Sequence, residues 1–300
     1  MARSIGLAHI IRHEDGTSTG VWGLYMLKSA FQPIFAFVGG KLPLVAFEGL
    51  IRPFRDDEAL TPARFFATCP AGERLPVEAM TRTLHLLNAG ACLPEQASVF
   101  VNFDPSVFTE RTIADNALRE MRLVLHEAGV DPRRVVCEVT EQRSASQETL
   151  FDFVAALKDN GFRIAVDDYG ADDSDIERIR ELKPDIVKFD AQWATQLMET
   201  GPGFALLATM VSAFEQQGIK TLFEGIEEGW QLELAEQSGA SMVQGFALAR
   251  PQIVPADFHA FGRSGEAATG KVAQAEAGAG EAPAARPQKP ARAFGRRIVP

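Results

Sequence analysis

Gly161-Phe162-Arg163-Ile164-Ala165-Val166-Asp167-Asp168-Tyr169-Gly170 is the stretch whose reading decides the fold. A glycine closing a helix-like segment is followed by a short apolar run, and the run ends on two carboxylates. Without a Cβ, Gly161 can take the chain out of a helix through a left-handed conformation. The run behind it has the length and composition of a strand buried on both faces. The same rhythm recurs around it. Helix-like stretches also end near Gly129, Gly218 and Gly239, and strands follow at 134–139, 220–224 and 241–246, with one more over 185–189. Strands alternating with helices imply a parallel sheet. Leu150, Phe153, Val154 and Leu157, and likewise Leu207, Met210, Val211 and Phe214, form apolar stripes at helical spacing and are assigned to the core. Ser174 and Glu177 have capping-box spacing ahead of Ile176, Ile179 and Leu182, and Pro184 stops that helix, so Asp172 and Asp173 belong to a loop.

Composition narrows the function. A 300-residue chain that is 46% hydrophobic and 23% charged has enough apolar surface for a sizeable core, whether an αβ barrel, a doubly wound sheet or two domains. Its formal charge of −10 repels polyanions at long range, which argues against a general nucleic-acid surface. A small phosphate ligand is compatible with that charge if a metal supplies positive charge locally. Cys69, Cys92 and Cys137 fit no zinc or CxxC spacing, and a reducing cytoplasm is the simplest setting for them. Residues 1–30 contain no apolar stretch long enough for a signal or membrane helix.

The polar residues closing the apolar strands carry the chemistry, because in an αβ barrel the site forms where strands end. They are unusually acidic. Glu138 and Glu141 follow one strand, Asp167 and Asp168 another, and Glu224 and Glu227 a third, while Asn102 and Lys188 sit in or at the end of two more. Any one of these acids alone reads as a solvated loop carboxylate. Gathered together without cations they would raise one another's pKa values at a cost in stability. Oxygen donors without histidine or cysteine suit Mg²⁺ or Mn²⁺ better than zinc. Alternation puts Val136, Glu138 and Thr140 on one face, and Ile186, Lys188 and Asp190 on one face. A lysine inside a barrel strand needs an anionic partner.

Over roughly residues 28 to 255 these motifs resemble the EAL-domain family of cyclic di-GMP phosphodiesterases. Phe31-Gln32-Pro33-Ile34 resembles the family's opening strand. Phe47-Glu48-Gly49-Leu50-Ile51-Arg52 resembles its signature, with glycine where alanine usually stands. Val101-Asn102-Phe103, Cys137-Glu138-Val139-Thr140-Glu141, Asp167-Asp168-Tyr169-Gly170 and Val187-Lys188-Phe189-Asp190 come in the family's order, then Glu224-Gly225-Ile226-Glu227 and Gln244-Gly245-Phe246. The resemblance implies an α/β fold, a modified TIM (β/α)8 barrel whose first strand, holding the signature, runs antiparallel to the rest. It implies two Mg²⁺ or Mn²⁺ ions: one on Glu48, Asn102, Glu138 and Asp167, the other on Asp167, Asp168 and Glu224. Lys188 would orient the attacking water, with Glu224 a candidate proton acceptor. Arg52 would face a substrate phosphate, and Gln32, Leu50 and Gln244 would line the ligand pocket. Glu141 and Glu227 would brace the surrounding loops. The implied reaction is hydrolysis of cyclic di-GMP to linear pGpG in bacterial second-messenger signalling. The chain is thus expected to divide into an extension over 1–27, a phosphodiesterase barrel over 28–262 and a disordered tail over 263–300, Ala/Gly/Pro-rich and basic at its end. No companion cyclase or receiver domain is expected in the remaining length.

Two stretches depart from the family pattern. After the aspartate pair it usually reads Gly-Thr-Gly-Tyr-Ser-Ser-Leu, where this chain has Gly170-Ala171-Asp172-Asp173-Ser174-Asp175-Ile176. In the family that loop bears on the second cation and on a dimer contact, so turnover rate and homodimer formation are the properties it puts in question. Thr68 to Pro76 also matches poorly. The rival readings are a catalytically silent cyclic di-GMP receptor, a regulator that docks a protein partner through the barrel, and a barrel enzyme acting on another phosphate ester. The basic tail is a candidate docking segment.

Overall fold

The computed structural model describes residues 3–5, 8–104, 111–140, 147–170 and 176–263. Glu141, the loop residues Asp172, Asp173 and Ser174, and the tail beyond Arg263 lie outside the described residues.

Three short strands, β1 (Arg3–Ile5), β2 (Ala8–Arg12) and β3 (Ser18–Trp22), pair antiparallel in turn and run into β4 (Tyr25–Ala36). Residues 27 and 28 both lie within that one strand. β5 (Leu44–Arg55) returns antiparallel along β4, and β6 (Glu58–Ala59) adds a short edge. Helices α1 (Pro62–Ala67) and α2 (Ala71–Cys92) carry the chain to β7 (Ser98–Phe103). The stretch that matches the family poorly is therefore the approach to α2, where Glu73 accepts a hydrogen bond from Trp22 Nε1 at 2.9 Å. Strand and helix then alternate through α3 (Arg111–Ala128), β8 (Val135–Thr140), α4 (Gln147–Asp159), β9 (Arg163–Tyr169), α5 (Ile176–Leu182) and β10 (Ile186–Phe189). α6 (Ala191–Met198), α7 (Gly201–Gln216), β11 (Lys220–Phe223), α8 (Gly229–Gln237), β12 (Met242–Val243), β13 (Gln252–Ile253) and α9 (Ala260–Arg263) complete it.

From β5 through β7, β8, β9, β10 and β11 to β12 every neighbouring pair is parallel, and β12 pairs antiparallel with β4, closing an eight-stranded barrel. One strand is antiparallel, as the resemblance implies, but it is not the strand that holds the signature. Glu48 lies on β5, which is parallel to β7; β4, which carries Gln32, runs against both of its neighbours. The connections explain this. A turn through Gly39 and Gly40, clasped by the Val38–Lys41 bridge, can join only antiparallel strands, whereas α1 and α2 give β5 the long crossover a parallel partner requires.

The expected punctuation is present: Gly129, Gly161, Gly218 and Gly239 all have positive φ at helix ends. Leu150, Phe153, Val154 and Leu157 on α4, and Leu207, Val211 and Phe214 on α7, are buried against the outside of the barrel, with Met210 partly buried beside them. A second apolar set fills the inside. Ile34, Ala46, Phe100, Val136, Ala165, Ile186 and Leu222, one from each of seven staves, form a separate cluster, and Met242 packs on it from the eighth. This is the floor on which the site stands.

Candidate active site

Side chains alternate along a strand, so the residue two positions beyond each floor residue faces the same interior one layer higher. On the parallel strands that rule delivers Glu48, Asn102, Glu138, Asp167 and Lys188, and just past the ends of β11 and β12 it delivers Glu224 and Gln244. On β4, running the other way, the position is two residues earlier and holds Gln32. The upper layer thus contains seven polar side chains from the parallel staves and one from the antiparallel stave.

Lys188 is the centre of this layer. It is 1% exposed, and its Nζ lies 2.7 Å from Glu224 Oε1, 3.0 Å from Asp167 Oδ1 and 3.8 Å from Glu48 Oε1, in addition to a direct contact with Glu138 Oε1. Burial pulls the ammonium toward its neutral form, but Asp167, Glu138, Glu224 and Glu48 outweigh it and hold its pKa well above the ordinary lysine range. Burial pushes the Glu138 carboxyl well up, with the Glu48 and Asp167 charges adding to it and Lys188 opposing. Glu224 is pushed up for the same reasons. Glu138 is fully buried, and its second oxygen, Oε2, has no hydrogen-bond partner.

Asp168 has a φ of +58°, a left-handed backbone that a non-glycine residue seldom adopts, and its N–H donates to Asp167 Oδ1 at 3.1 Å. The next two residues hold this turn in place. Gly170 has a φ of +101°, and a Cβ there would come within 2.4 Å of the Trp193 ring, so only glycine fits. Tyr169 between them is buried edge-on against Phe189, Trp193 and Phe214. Gly245 has an equivalent role on the far side: its absent Cβ would lie 2.1 Å from the Ile226 carbonyl oxygen, which lets the Gln244 segment pack directly on the loop after Glu224.

Two sets of carboxylates converge closely enough to hold an ion: Glu48, Glu138 and Glu224, and separately Asp167, Asp168 and Glu224, with one oxygen from each member within 4.8 Å of the others in its set. When all five acids are ionised, Lys188 leaves an excess of four negative charges, the charge of two divalent cations. The oxygen-only donors, the orphaned Glu138 Oε2 and the upward-shifted carboxyls all fit hard divalent ions.

The remaining sequence candidates divide into those at the cluster and those around it. Gln244 Nε2 donates to Glu48 Oε2 at 2.9 Å, joining the last stave to the cluster. Asn102 lies in register with Glu138 and is exposed. Gln32 pairs across the sheet with Glu48, but its amide donates to the Ala249 carbonyl at 3.3 Å. Leu50 and Arg52 continue the Glu48 face along β5, both half-buried. The Arg52 Nη1 donates to the Ile51 carbonyl at 3.0 Å, and burial pulls its pKa down while Glu48 opposes the shift. Glu227 is exposed, tied to the structure through its backbone N–H, which donates to Gln231 Oε1 at 2.8 Å. Sequence reading passes over His85, a buried α2 residue whose ring touches the outer face of β5 behind Glu48; a lone histidine among apolar helix positions carries no signal of that contact.

The family described as EAL domain matches residues 26–251. The chain is 24% identical over 209 residues to the probable cyclic di-GMP phosphodiesterase PdeA of Escherichia coli strain K12, covering 68% of this chain and 28% of that protein. It is 28% identical over 226 residues to the EAL-domain protein YkuI of Bacillus subtilis strain 168, covering 74% and 54% respectively. The chain therefore spans between about a quarter and about half the length of these relatives. Among solved structures it resembles YkuI in complex with cyclic di-GMP and calcium, with a TM-score of 0.67 at 25% identity, covering 78% of this chain and 61% of that one. It also resembles the manganese and cyclic di-GMP complex of Klebsiella pneumoniae BlrP1, with a TM-score of 0.68 at 25% identity over 76% and 56%. Among the described residues no helix is long and apolar enough to cross a membrane.

Proposed function

The chain belongs to the EAL-domain family, and from that premise we propose that its barrel, over 28–262, is a divalent-metal-dependent phosphodiesterase that hydrolyses cyclic di-GMP to linear pGpG. The observation that carries the reading is the pair of carboxylate sets meeting at Glu224 around the buried Lys188. Relatives named as cyclic di-GMP phosphodiesterases and neighbours holding cyclic di-GMP with manganese or calcium support the substrate and the need for a divalent ion.

In this reading Glu48, Asn102, Glu138 and Asp167 would hold one Mg²⁺ or Mn²⁺, and Asp167, Asp168 and Glu224 would hold the other. Bound there, such ions supply Lewis acidity toward the phosphoryl oxygens and lower the pKa of water. The chain's own residues do the rest. Lys188, anchored by Glu138 and Glu224, orients the attacking water with a charged donor whose position is set by the barrel floor. Arg52, above Glu48 on the same strand face, binds a phosphate oxygen and opposes the charge that builds on it. Leu50 offers apolar surface beside it, while Gln32 and Gln244 bound the pocket on the antiparallel and last staves. Glu224 acts first as a ligand, because a carboxylate committed to a cation is a poor base.

The test is incubation of the purified protein with cyclic di-GMP and Mg²⁺ or Mn²⁺, followed by nucleotide chromatography. Linear pGpG is expected, and both chelator and Glu48→Ala should abolish it. Undiminished cleavage by Glu48→Ala and Lys188→Ala overturns the assignment of roles; calorimetric binding without turnover identifies a receptor.

A further inference from the structure

Gly49 follows Glu48 on β5 and so faces the opposite side of the sheet, away from the carboxylates. A Cβ at this position would lie 3.0 Å from Cγ, 3.2 Å from Cβ and 3.3 Å from Cδ2 of His85, closer than ordinary van der Waals contact. His85 projects from α2 and is 4% exposed. Its Nδ1 lies 2.9 Å from Ser29 Oγ on β4, and that hydroxyl also accepts from Asn88 Nδ2 at 3.0 Å. Asn88 in turn clamps the β3 backbone: its Oδ1 accepts from the Ser18 N–H at 2.7 Å, and its Nδ2 donates to the Ser18 carbonyl at 3.0 Å. The ring is therefore tied to the antiparallel stave and cannot easily withdraw. Phe31, which meets the ring edge-on at 6.2 Å between centroids, pairs across the sheet with Gly49, one rung from the Gln32–Glu48 pair.

We propose that His85 is a positioning residue for Glu48: the imidazole, hydrogen-bonded to β4, is the stop against which β5 seats, and glycine at position 49 is what lets the strand come down onto it. This rests on the proposed function for its link to turnover, but not for its link to metal binding. Groups that orient a metal ligand without touching the metal affect both affinity and activity.

The experiment is Mn²⁺ titration calorimetry alongside cyclic di-GMP kinetics. Gly49→Ala should weaken Mn²⁺ binding about tenfold and lower kcat by about the same factor while KM changes less than about twofold, since the substrate-facing side of β5 is chemically unaltered. Gly49→Ala combined with His85→Asn, which vacates the ring's volume and keeps a polar group near Ser29, should recover both quantities to within about threefold of wild type, a non-additive result expected only of groups in contact. Wild-type Mn²⁺ affinity in Gly49→Ala, or additive losses in the double variant, would overturn the proposal, even if Gly49→Ala melts earlier. Should Gly49→Ala fail to fold, His85→Asn alone should weaken Mn²⁺ binding by about threefold or more, and unchanged affinity would overturn it equally. If the wild type binds Mn²⁺ but cleaves nothing, the reaction is wrong while the calorimetric arm still decides the role of His85.

Discussion

The floor of the barrel and the layer above it are built by the same staves, two residues apart, yet they differ in almost every physical respect. Ile34, Ala46, Phe100, Val136, Ala165, Ile186 and Leu222 pack against one another with no polar atom among their side chains. One step along each strand, Gln32, Glu48, Asn102, Glu138, Asp167, Lys188, Glu224 and Gln244 replace them with amides, acids and a single cation. The lower layer gains free energy by leaving water. The upper layer sacrifices it, keeping charges where solvation is poor so that an excess of negative charge faces the barrel mouth. What the pairing teaches is that a pleat needs only one period to turn a stabilising surface into a reactive one, and that the apolar layer is what holds the reactive one rigid.

The comparison can be broken most severely at Lys188. In Lys188→Met the carboxylates lose the buried ammonium they share; turnover should fall at least about a thousandfold, and the metal-free protein should lose about 3–5 kcal/mol of stability in urea titrations, the usual cost of removing one partner of a buried ion pair. A metal-free variant as stable as wild type would show that the layer does not depend on its cation. Leu222→Ala tests the floor instead: about 2–4 kcal/mol of stability should go, with turnover per folded molecule at low temperature changed less than about threefold. A loss of turnover much larger than that would mean the two layers are not separable.

A gentler probe leaves the chain intact. Mn²⁺ at about a hundred times its dissociation constant should stabilise the wild type by about 2.7 kcal/mol, and Glu48→Ala by clearly less, as read from urea midpoints with and without the ion. Over the window from pH 7 to pH 5 the smallest expected effect concerns His85, whose ring is held at a pKa of about 3 by burial, helped by the Arg52 charge. Its folded value lies below the ordinary one near 6.5, so the unfolded chain binds the proton first and stability declines as the pH is lowered. The contribution is complete above about pH 6.5 and is lost toward pH 3 at about 1.4 kcal/mol per unit. Because the carboxylates titrate in both proteins, the difference in slope between wild type and His85→Asn isolates this group. Identical slopes between pH 7 and pH 5 would show that the histidine is not held neutral.

Much of this architecture is legible along the chain because its causes are local. The glycine-strand-carboxylate unit at 161–170 reads correctly since a positive-φ residue, an apolar run and a polar strand end are each written in consecutive residues. Alternation likewise places Glu138 with Val136 and Lys188 with Ile186 before any partner strand is known. The orientation of the signature strand, which the residue pattern leaves open and only the resemblance implied, comes out differently, because it depends on whether a seven-residue turn or a pair of helices joins two staves, and both connections look like breaks in the strand pattern. Three-dimensional closure alone decides that four carboxylates separated by up to 176 positions in the chain contact one ammonium.

Residue types and their periods, then, determine which side chains share a face and that acids close the strands, since pleat and turn are properties of neighbours in sequence. Which of those acids meet, around which cation, and against which buried histidine the Glu48 strand is seated are decided only when β4 and β12 join. Distances between staves are set by ring closure and packing, and no short-range pattern contains them.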